Sequence, residues 1–167
     1  FASLKRKQVA LVDASGISIL NKYIPDNDLS VIDIEHLNFF AALRMLAAGK
    51  KSLFDYTVAY IKTFKPQFVF TFIDNNIDFY KFAAIFPKVK FIAIQNGLRS
   101  NYANQMNNGF FDLLENESAN NRLSAYAICV LGSNEGDKYS KYIQAKQIIT
   151  GSLKNNLIDN QIEPKEH

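Results

Sequence analysis

Residues 68–73 read FVFTFI, and Asp74, Asn75 and Asn76 follow them directly. A short apolar run that is rich in Phe and β-branched residues predicts a strand buried on both faces. Polar residues immediately after such a run mark the end of the strand. This stretch indicates an α/β domain with a parallel sheet, because only helices on both sides of a sheet bury a strand so completely.

Similar runs flank this stretch, and helical patterns separate them. Strands are predicted over residues 8–12, 29–34, 90–95, 125–131 and 147–150. Helical stretches are predicted up to about residue 23 and over 37–48, 52–64, 78–86 and 134–142, with Gly49 as a C-cap and Asn134 as an N-cap. Residues 98–120 are interpreted as a long loop with a short helix near 110–114. The alternation predicts an open, mainly parallel Rossmann-like sheet with helices on both faces.

The composition limits the classes of function. The chain has 167 residues, of which 48% are hydrophobic and 21% charged, values typical of one folded domain. The net charge of +3 comes from scattered lysines, and the cluster at Lys5, Arg6 and Lys7 is interpreted as a solvated lead-in, so no nucleic-acid partner is expected. Cys129 is the single cysteine and His36 and His167 are far apart, so no metal is expected. Without a membrane span or signal peptide in the sequence, a cytoplasmic location is expected.

Small or polar residues follow the predicted strands, and in a parallel sheet these strand ends share one edge. Ligands of open α/β sheets bind outside that edge. The candidate binding residues are Asp13, Ser15, Gly16, Asn75, Asn76, Gln95, Asn96, Gly97, Arg99, Ser133, Asn134, Gly151 and Ser152. Each loop alone has a second interpretation, since caps and turns favour the same residue types.

Asp74 is the candidate catalytic residue, because a carboxyl group at the end of an apolar strand suits proton transfer. Its alternative role is to cap the next helix. Gly97 would permit a left-handed backbone conformation. Arg99 suits a bidentate contact with phosphate or carboxylate, or else a surface salt bridge. Near Gly16, GxGxxG and GxxxxGK[ST] are both absent, which argues against a dinucleotide or P-loop site.

A resemblance rests on residues 71–76, Phe79-Tyr80, 94–99, 131–134 and 150–156. These motifs resemble bacterial surface-carbohydrate biosynthesis proteins, a group similar to GT-B glycosyltransferases, with relatives that transfer Kdo onto surface polysaccharides. The resemblance implies that residues 1–156 are the N-terminal, acceptor-side half of a GT-B fold. Residues 157–167 would be a polar tail or the start of a linker to a second domain.

The resemblance also implies partners and roles. A saccharide acceptor would bind this domain, and a nucleotide-sugar donor would bind through the second domain as co-substrate, without a bound cofactor or metal. Asp74 would act as general base or as an electrostatic partner of the reacting sugar, so Asp74→Asn should lower turnover with little loss of folding. This chain alone is expected to be inactive. Peripheral association of the full-length protein with the inner face of the membrane stays open.

Two further readings stay open beside the transferase. One is a sugar-nucleotide epimerase or phosphopolyol transferase domain, because these enzymes share the two-domain architecture. The other is a non-enzymatic Rossmann-like binding module. A gene that continues past His167 with further strand–helix alternation would favour the transferase.

Overall fold

A computed structural model describes residues 7–33, 35, 37–99 and 109–157 of the chain. In these residues six parallel strands form one sheet in the order β2-β1-β3-β4-β5-β6. The strands are β1 Val9–Val12, β2 Leu29–Ile32, β3 Phe68–Thr71, β4 Lys90–Ile94, β5 Ser124–Val130 and β6 Gln144–Ile149. The helices are α1 Ile17–Leu20, α2 Phe39–Ala47, α3 Leu53–Phe64, α4 Ile77–Ile85, α5 Phe110–Ser118 and α6 Ser133–Ser140, and a 3-10 turn covers Leu153–Leu157. The predicted open parallel sheet is confirmed.

The strand order reverses between β1 and β3. From β1 the chain passes to β2 on one side and then crosses back to β3 on the other side. Val12 pairs with both Ile32 and Thr71, so the three strands end level with one another. A crevice at such a reversal is where open α/β sheets bind ligands.

Two apolar clusters cover the two faces of the sheet. The larger one joins strand residues such as Ala10, Val69 and Ala93 to side chains of α3–α6. The smaller one holds the alternate strand residues, such as Leu11 and Ile94, against α1, and its edge is covered by the 3-10 turn. Helices therefore lie on both faces, as predicted, but the four-residue α1 leaves the second face more thinly covered.

Local sequence signals account for several helix ends. Ser52 and Asp55 form a capping box at the start of α3. Gly49, with φ +71°, ends α2, because its N–H donates to Leu46 O and the N–H of Lys50 to Met45 O. The predicted end of the helix at Gly49 is thus confirmed, although the C-cap itself is Ala48, one residue earlier.

Other predicted boundaries were wrong. The last helix begins at Ser133 with Gly132 as its N-cap, so Asn134 lies inside the helix and does not cap it. Helix α5 extends to Ser118, well past the predicted end at residue 114. Strand β6 begins at Gln144 and not at residue 147, because its amide pairs with Leu123 O beside β5.

Candidate functional site

The centre of the polar edge is the carboxylate of Asp74, which lies just beyond the end of β3 and is fully buried. Arg99 approaches it with two nitrogens: Nε donates to Oδ2 at 2.9 Å, and Nη2 donates to Oδ1. The hydroxyl of Tyr139 also donates to Oδ2, and the backbone N–H of Asn96 donates to Oδ1 at 3.2 Å. Both oxygens of Asp74 therefore accept two hydrogen bonds each, from the loop after β4 and from α6.

Arg99 is held in a fixed orientation by this carboxylate. Its Nη2 also donates to Asn96 Oδ1 at 2.8 Å, and its side chain remains 17% exposed. The hydrogen bond with Asp74 raises the pKa of Arg99 above its ordinary value, so the guanidinium stays charged. A partly exposed, oriented guanidinium at a sheet edge can bind a carboxylate or phosphate.

Two buried tyrosines complete the surroundings of Asp74. Tyr80 on α4 donates to the backbone oxygen of Asp74 at 2.6 Å, and Tyr139 on α6 donates to its side chain. Burial raises the pKa of both hydroxyls, and the negative charge of Asp74 raises them further. Both tyrosines therefore remain protonated donors at neutral pH.

A second set of contacts ties β4 to β5 and α6. The buried Gln95 accepts from Leu131 N at 2.9 Å and donates to Gly97 O at 2.9 Å and to Glu135 Oε2 at 3.2 Å. Glu135 in turn pairs with Lys138 at 2.8 Å. Substitution of Gln95 would leave several of these buried groups without partners, so this residue maintains the shape of the site.

The switch point between β1 and β3 holds a separate cavity of about 230 Å³. Asp13, at the end of β1, adopts φ +67°, a conformation that Asp tolerates better than most residues. Its Oδ1 accepts from Ser15 N at 2.7 Å, and Thr71 Oγ1 lies 3.4 Å from its Oδ2. The cavity is lined by Val12, Asp13, Ile32, Asp33, Leu53, Phe54, Thr57, Ile73, Asn76, Asp78 and Phe82. Three carboxylates, one amide and the hydroxyl-bearing Thr57 on an otherwise apolar wall suit a neutral hydroxylated ligand.

The remaining candidate binding residues lie at different places along this edge of the sheet. Asn76 lines the cavity and also caps α4, because its side chain accepts from Asp78 N at 3.1 Å. The cap expected of Asp74 as its alternative role is thus supplied by Asn76. Gly16 packs under Phe72, since a Cβ there would lie 1.8 Å from the ring. Asn75 is exposed beside Asp74.

The edge beyond β5 is less enclosed. Ser133 and Asn134 are exposed at the start of α6. Gly151 and Ser152 are half-buried where the chain leaves β6 for the 3-10 turn. The five predicted loops therefore share one edge, and of their candidate residues the switch-point cavity includes Asp13 and Asn76.

The backbone at Gly97 does not use the freedom that a glycine offers. Gly97 does not adopt a left-handed conformation, and a Cβ built there meets nothing within 4 Å. The loop turns without a left-handed residue because the Gln95 side chain donates to Gly97 O and the Asn96 N–H donates to Asp74.

His36 and His167 lie outside the described residues. Cys129 is half-buried in the smaller apolar cluster, and burial raises the pKa of its thiol.

Sequence reasoning missed Glu135, Lys138 and Tyr139. They lie three and four residues apart on one face of α6, where Tyr139 contacts Asp74, Glu135 contacts Gln95, and Lys138 pairs with Glu135. The signal that could have found them was a set of polar residues at helical spacing directly after an apolar strand.

Among the described residues, no group of three or more acidic, His or Cys side chains forms a metal site. None of the helices in the described ranges has the length and apolar character needed to cross a bilayer.

The fold and its polar edge define a class: open, all-parallel α/β domains whose strand ends meet at one edge. Residues 92–167, just under half of the chain, match a family described as "putative O-antigen biosynthesis protein". No curated protein and no solved structure gives a significant match. The family match links the chain to surface-carbohydrate biosynthesis. Its range includes Gln95, Arg99, Glu135 and Tyr139, whereas Asp74 precedes it.

Proposed function

We propose that this chain is the acceptor-side domain of a GT-B-like glycosyltransferase that builds surface polysaccharide, with Kdo as one candidate sugar. The match of residues 92–167 to the O-antigen family carries the proposal, because that range supplies the guanidinium and the α6 residues of the polar edge. The all-parallel sheet supports it as one half of a two-domain cleft.

In this reaction an acceptor hydroxyl oxygen attacks the anomeric carbon of the donor sugar. The bond from that carbon to the nucleotide's phosphate oxygen breaks, and the nucleotide leaves with the electron pair. The hydroxyl proton passes to a base. A nucleotide-sugar donor therefore supplies all the atoms transferred, and it would bind a second domain.

The switch-point cavity is the proposed acceptor subsite. Its volume of about 230 Å³ is below the roughly 300–1,000 Å³ of sites that enclose a drug-sized ligand, so it suits one sugar ring. Asp13, Asp78 and Asn76 supply oxygens that accept hydrogen bonds from sugar hydroxyls. Apolar side chains such as Phe54 and Ile73 supply the contact surface for the carbon-bound face of the ring.

Asp74 is proposed as a positioning residue rather than the base. Its two oxygens already accept from Arg99, Tyr139 and Asn96, so it could take a proton only by losing these donors. It orients Arg99 toward an anionic group of donor or acceptor. Asp13 is the better candidate base, because its Oδ2 has only a 3.4 Å contact with Thr71.

The test uses the intact natural protein that contains this chain. Nucleotide sugars, CMP-Kdo included, are offered with saccharide acceptors, and release of nucleotide and formation of product are measured by mass spectrometry. Arg99→Lys should lower kcat/KM by about 10²-fold, because a lysine cannot form the bidentate contact. The matched control Arg122→Lys, at the opposite edge of the sheet, should leave it unchanged.

Product analysis separates the related enzymes. An epimerised nucleotide sugar or a transferred phosphopolyol would replace the transferase proposal. Full activity of Arg99→Lys would show that Arg99 has no role in the reaction.

One observation favours a second candidate, a non-enzymatic binding module. The fully engaged carboxylate of Asp74 resembles a structural pair more than a reacting group. This candidate predicts saccharide binding by the chain, seen by saturation-transfer NMR, with no nucleotide-sugar turnover by the intact protein.

A further inference from the structure

A larger cavity lies at the edge of the sheet opposite Asp74, where β4, β5 and β6 begin. Its volume is about 570 Å³, inside the roughly 300–1,000 Å³ range of small-molecule sites. The end of α4 and the first residues of the three strands line this cavity, which we call the strand-start groove. It shares no lining residue with the switch-point cavity.

The strand-start groove is strongly cationic. Its charged lining residues are Lys88, Lys90, Arg122 and Lys146. None of the described residues that line the groove is acidic. On the neighbouring α5, the carboxylate of Glu117 is already matched, because it lies 2.8 Å from Lys81 Nζ and accepts from Asn121 at 2.6 Å. The groove therefore concentrates positive charge that its own walls do not neutralise.

Aromatic side chains hold Lys90 in place at the start of β4. Its Nζ lies 5.2 Å from the ring centre of Phe68 and 5.0 Å from the ring centre of Tyr126. Both distances are within the range of a cation–π contact, which positions the ammonium group although the rings carry no net charge. Lys90 is therefore an ordered cation whose charge is available to an anion.

The other cations differ in how far they are engaged. Arg122 donates to Gln144 at 2.7 Å, which ties its guanidinium to the start of β6. Lys88 and Lys146 have no hydrogen-bond or ion-pair partner within the described ranges. A helix C-terminus favours nearby cations, which accounts for Lys88 just after α4, but Lys146 lies on strand β6. Because like charges in one groove repel one another, a bound anion would stabilise this arrangement.

We propose that the strand-start groove binds a small anion that contains a chain of phosphate groups. Lys90 on β4 and Lys146 on β6 are two strands apart, so their backbones lie roughly 10 Å from each other across the sheet. Lysines spread over this distance suit two or three linked phosphates better than a single one. Lysine binds phosphate as a point charge, and the groove supplies several such charges. The shared chemistry is the phosphate chain, whether it is inorganic or part of a nucleotide.

The test is isothermal titration calorimetry of the 167-residue chain with sodium tripolyphosphate at low ionic strength. Lys90→Met keeps an aliphatic contact with the two rings but removes the charge, and it should weaken the affinity about tenfold. The matched control Lys51→Met should bind as the wild type does, since this exposed lysine precedes α3 at the other edge of the sheet, where Leu53 lines the switch-point cavity. The proposal does not rest on sugar transfer, because binding is measured without donor or acceptor.

A second variant guards against a loss of folding in Lys90→Met. Lys146→Gln removes no hydrogen bond or ion pair within the described ranges, and it should weaken the affinity about fivefold. Tripolyphosphate should also raise the melting temperature of the wild type, and added salt should weaken its binding. No binding of tripolyphosphate, or equal affinity of the wild type and both lysine variants, overturns the proposal.

Two further ligands identify the source of the phosphate chain. Orthophosphate should bind about tenfold more weakly than tripolyphosphate, and equal affinity would contradict the assignment to a chain. Equal affinity for ATP and tripolyphosphate supports recognition of the phosphate chain alone. Tighter binding of ATP that Tyr126→Leu abolishes supports a nucleotide, because the ring of Tyr126 is 53% exposed and could stack on the base. Binding of single-stranded RNA without binding of tripolyphosphate would assign the groove to a polymer instead.

Discussion

Replacement of Asp74 by Asn tests whether this residue stabilises the fold or takes part in the reaction. The substitution keeps the side-chain volume but removes the charge and converts one oxygen into an NH₂ donor. Whichever oxygen is lost, two donors lose their acceptor, because Oδ1 serves Arg99 and Asn96 and Oδ2 serves Arg99 and Tyr139. The new NH₂ group also faces N–H or O–H groups directly.

The expected loss in the free energy of unfolding follows from the burial of the Asp74–Arg99 ion pair. Removal of one partner of a buried ion pair costs about 3–5 kcal/mol, and the pair here is buried at Asp74 and 17% exposed at Arg99. That is a large share of the roughly 5–15 kcal/mol by which a domain is stable. At this chain length the melting temperature should fall by roughly 10 °C. The expectation from the sequence, strong loss of turnover with little loss of folding, is therefore replaced by a loss of both.

Urea unfolding at neutral pH, followed by far-UV circular dichroism, measures the effect. Asp137→Asn is the matched control: it makes the same change on an exposed position of α6 and should alter the free energy of unfolding by less than about 0.5 kcal/mol. The double variant with Arg99→Met should cost less than the two single changes added together, since both remove one interaction. A stability of Asp74→Asn within about 0.5 kcal/mol of wild type would refute the reasoning.

Three further predictions concern the fold. Gly16→Ala should lower stability by about 1–3 kcal/mol, because its Cβ would lie 1.8 Å from the buried ring of Phe72; an unchanged melting temperature contradicts this packing. Ser52→Ala should cost about 1 kcal/mol through loss of the α3 cap, measured by urea unfolding, and a neutral effect would mean that the cap contributes nothing. The free energy of unfolding should fall as pH rises above about 10, because the raised pKa values of Tyr80 and Tyr139 let these hydroxyls ionise first in the unfolded chain. Urea titrations across this range should show a smaller fall for Tyr139→Phe, and an identical fall would contradict the assignment.

Much of the secondary structure could be predicted because its signals are local. An apolar run that ends in polar residues marks β3, and the Gly49 and Ser52 signals mark adjacent helix ends within a few residues of sequence. Helix α5 exceeded the prediction because Phe111 and Leu114 alone are buried, so its last turn is polar and carries no periodic signal.

The candidate site could be predicted only in part, because its contacts are distant in sequence. Arg99 lies 25 residues from Asp74 and Tyr139 lies 65 residues away, and strand order brings them together. The residue types at the strand ends were predictable, whereas the pairing that occupies Asp74 was not. Likewise, the spacing of Phe39, Leu43 and Leu46 would suit a core-facing helix, and only the tertiary structure shows them outside.

The contact between α1 and the 3-10 turn has a consequence for the order of folding. Leu153 packs on the cluster that contains Ile19 and Leu20, so the last described segment covers the first helix. During synthesis this face of α1 stays open until nearly the whole domain has left the ribosome. Such a long-range closure slows the final step and leaves the smaller apolar cluster unprotected meanwhile. The nascent chain therefore keeps part of this apolar cluster open to misassociation until Leu153 emerges.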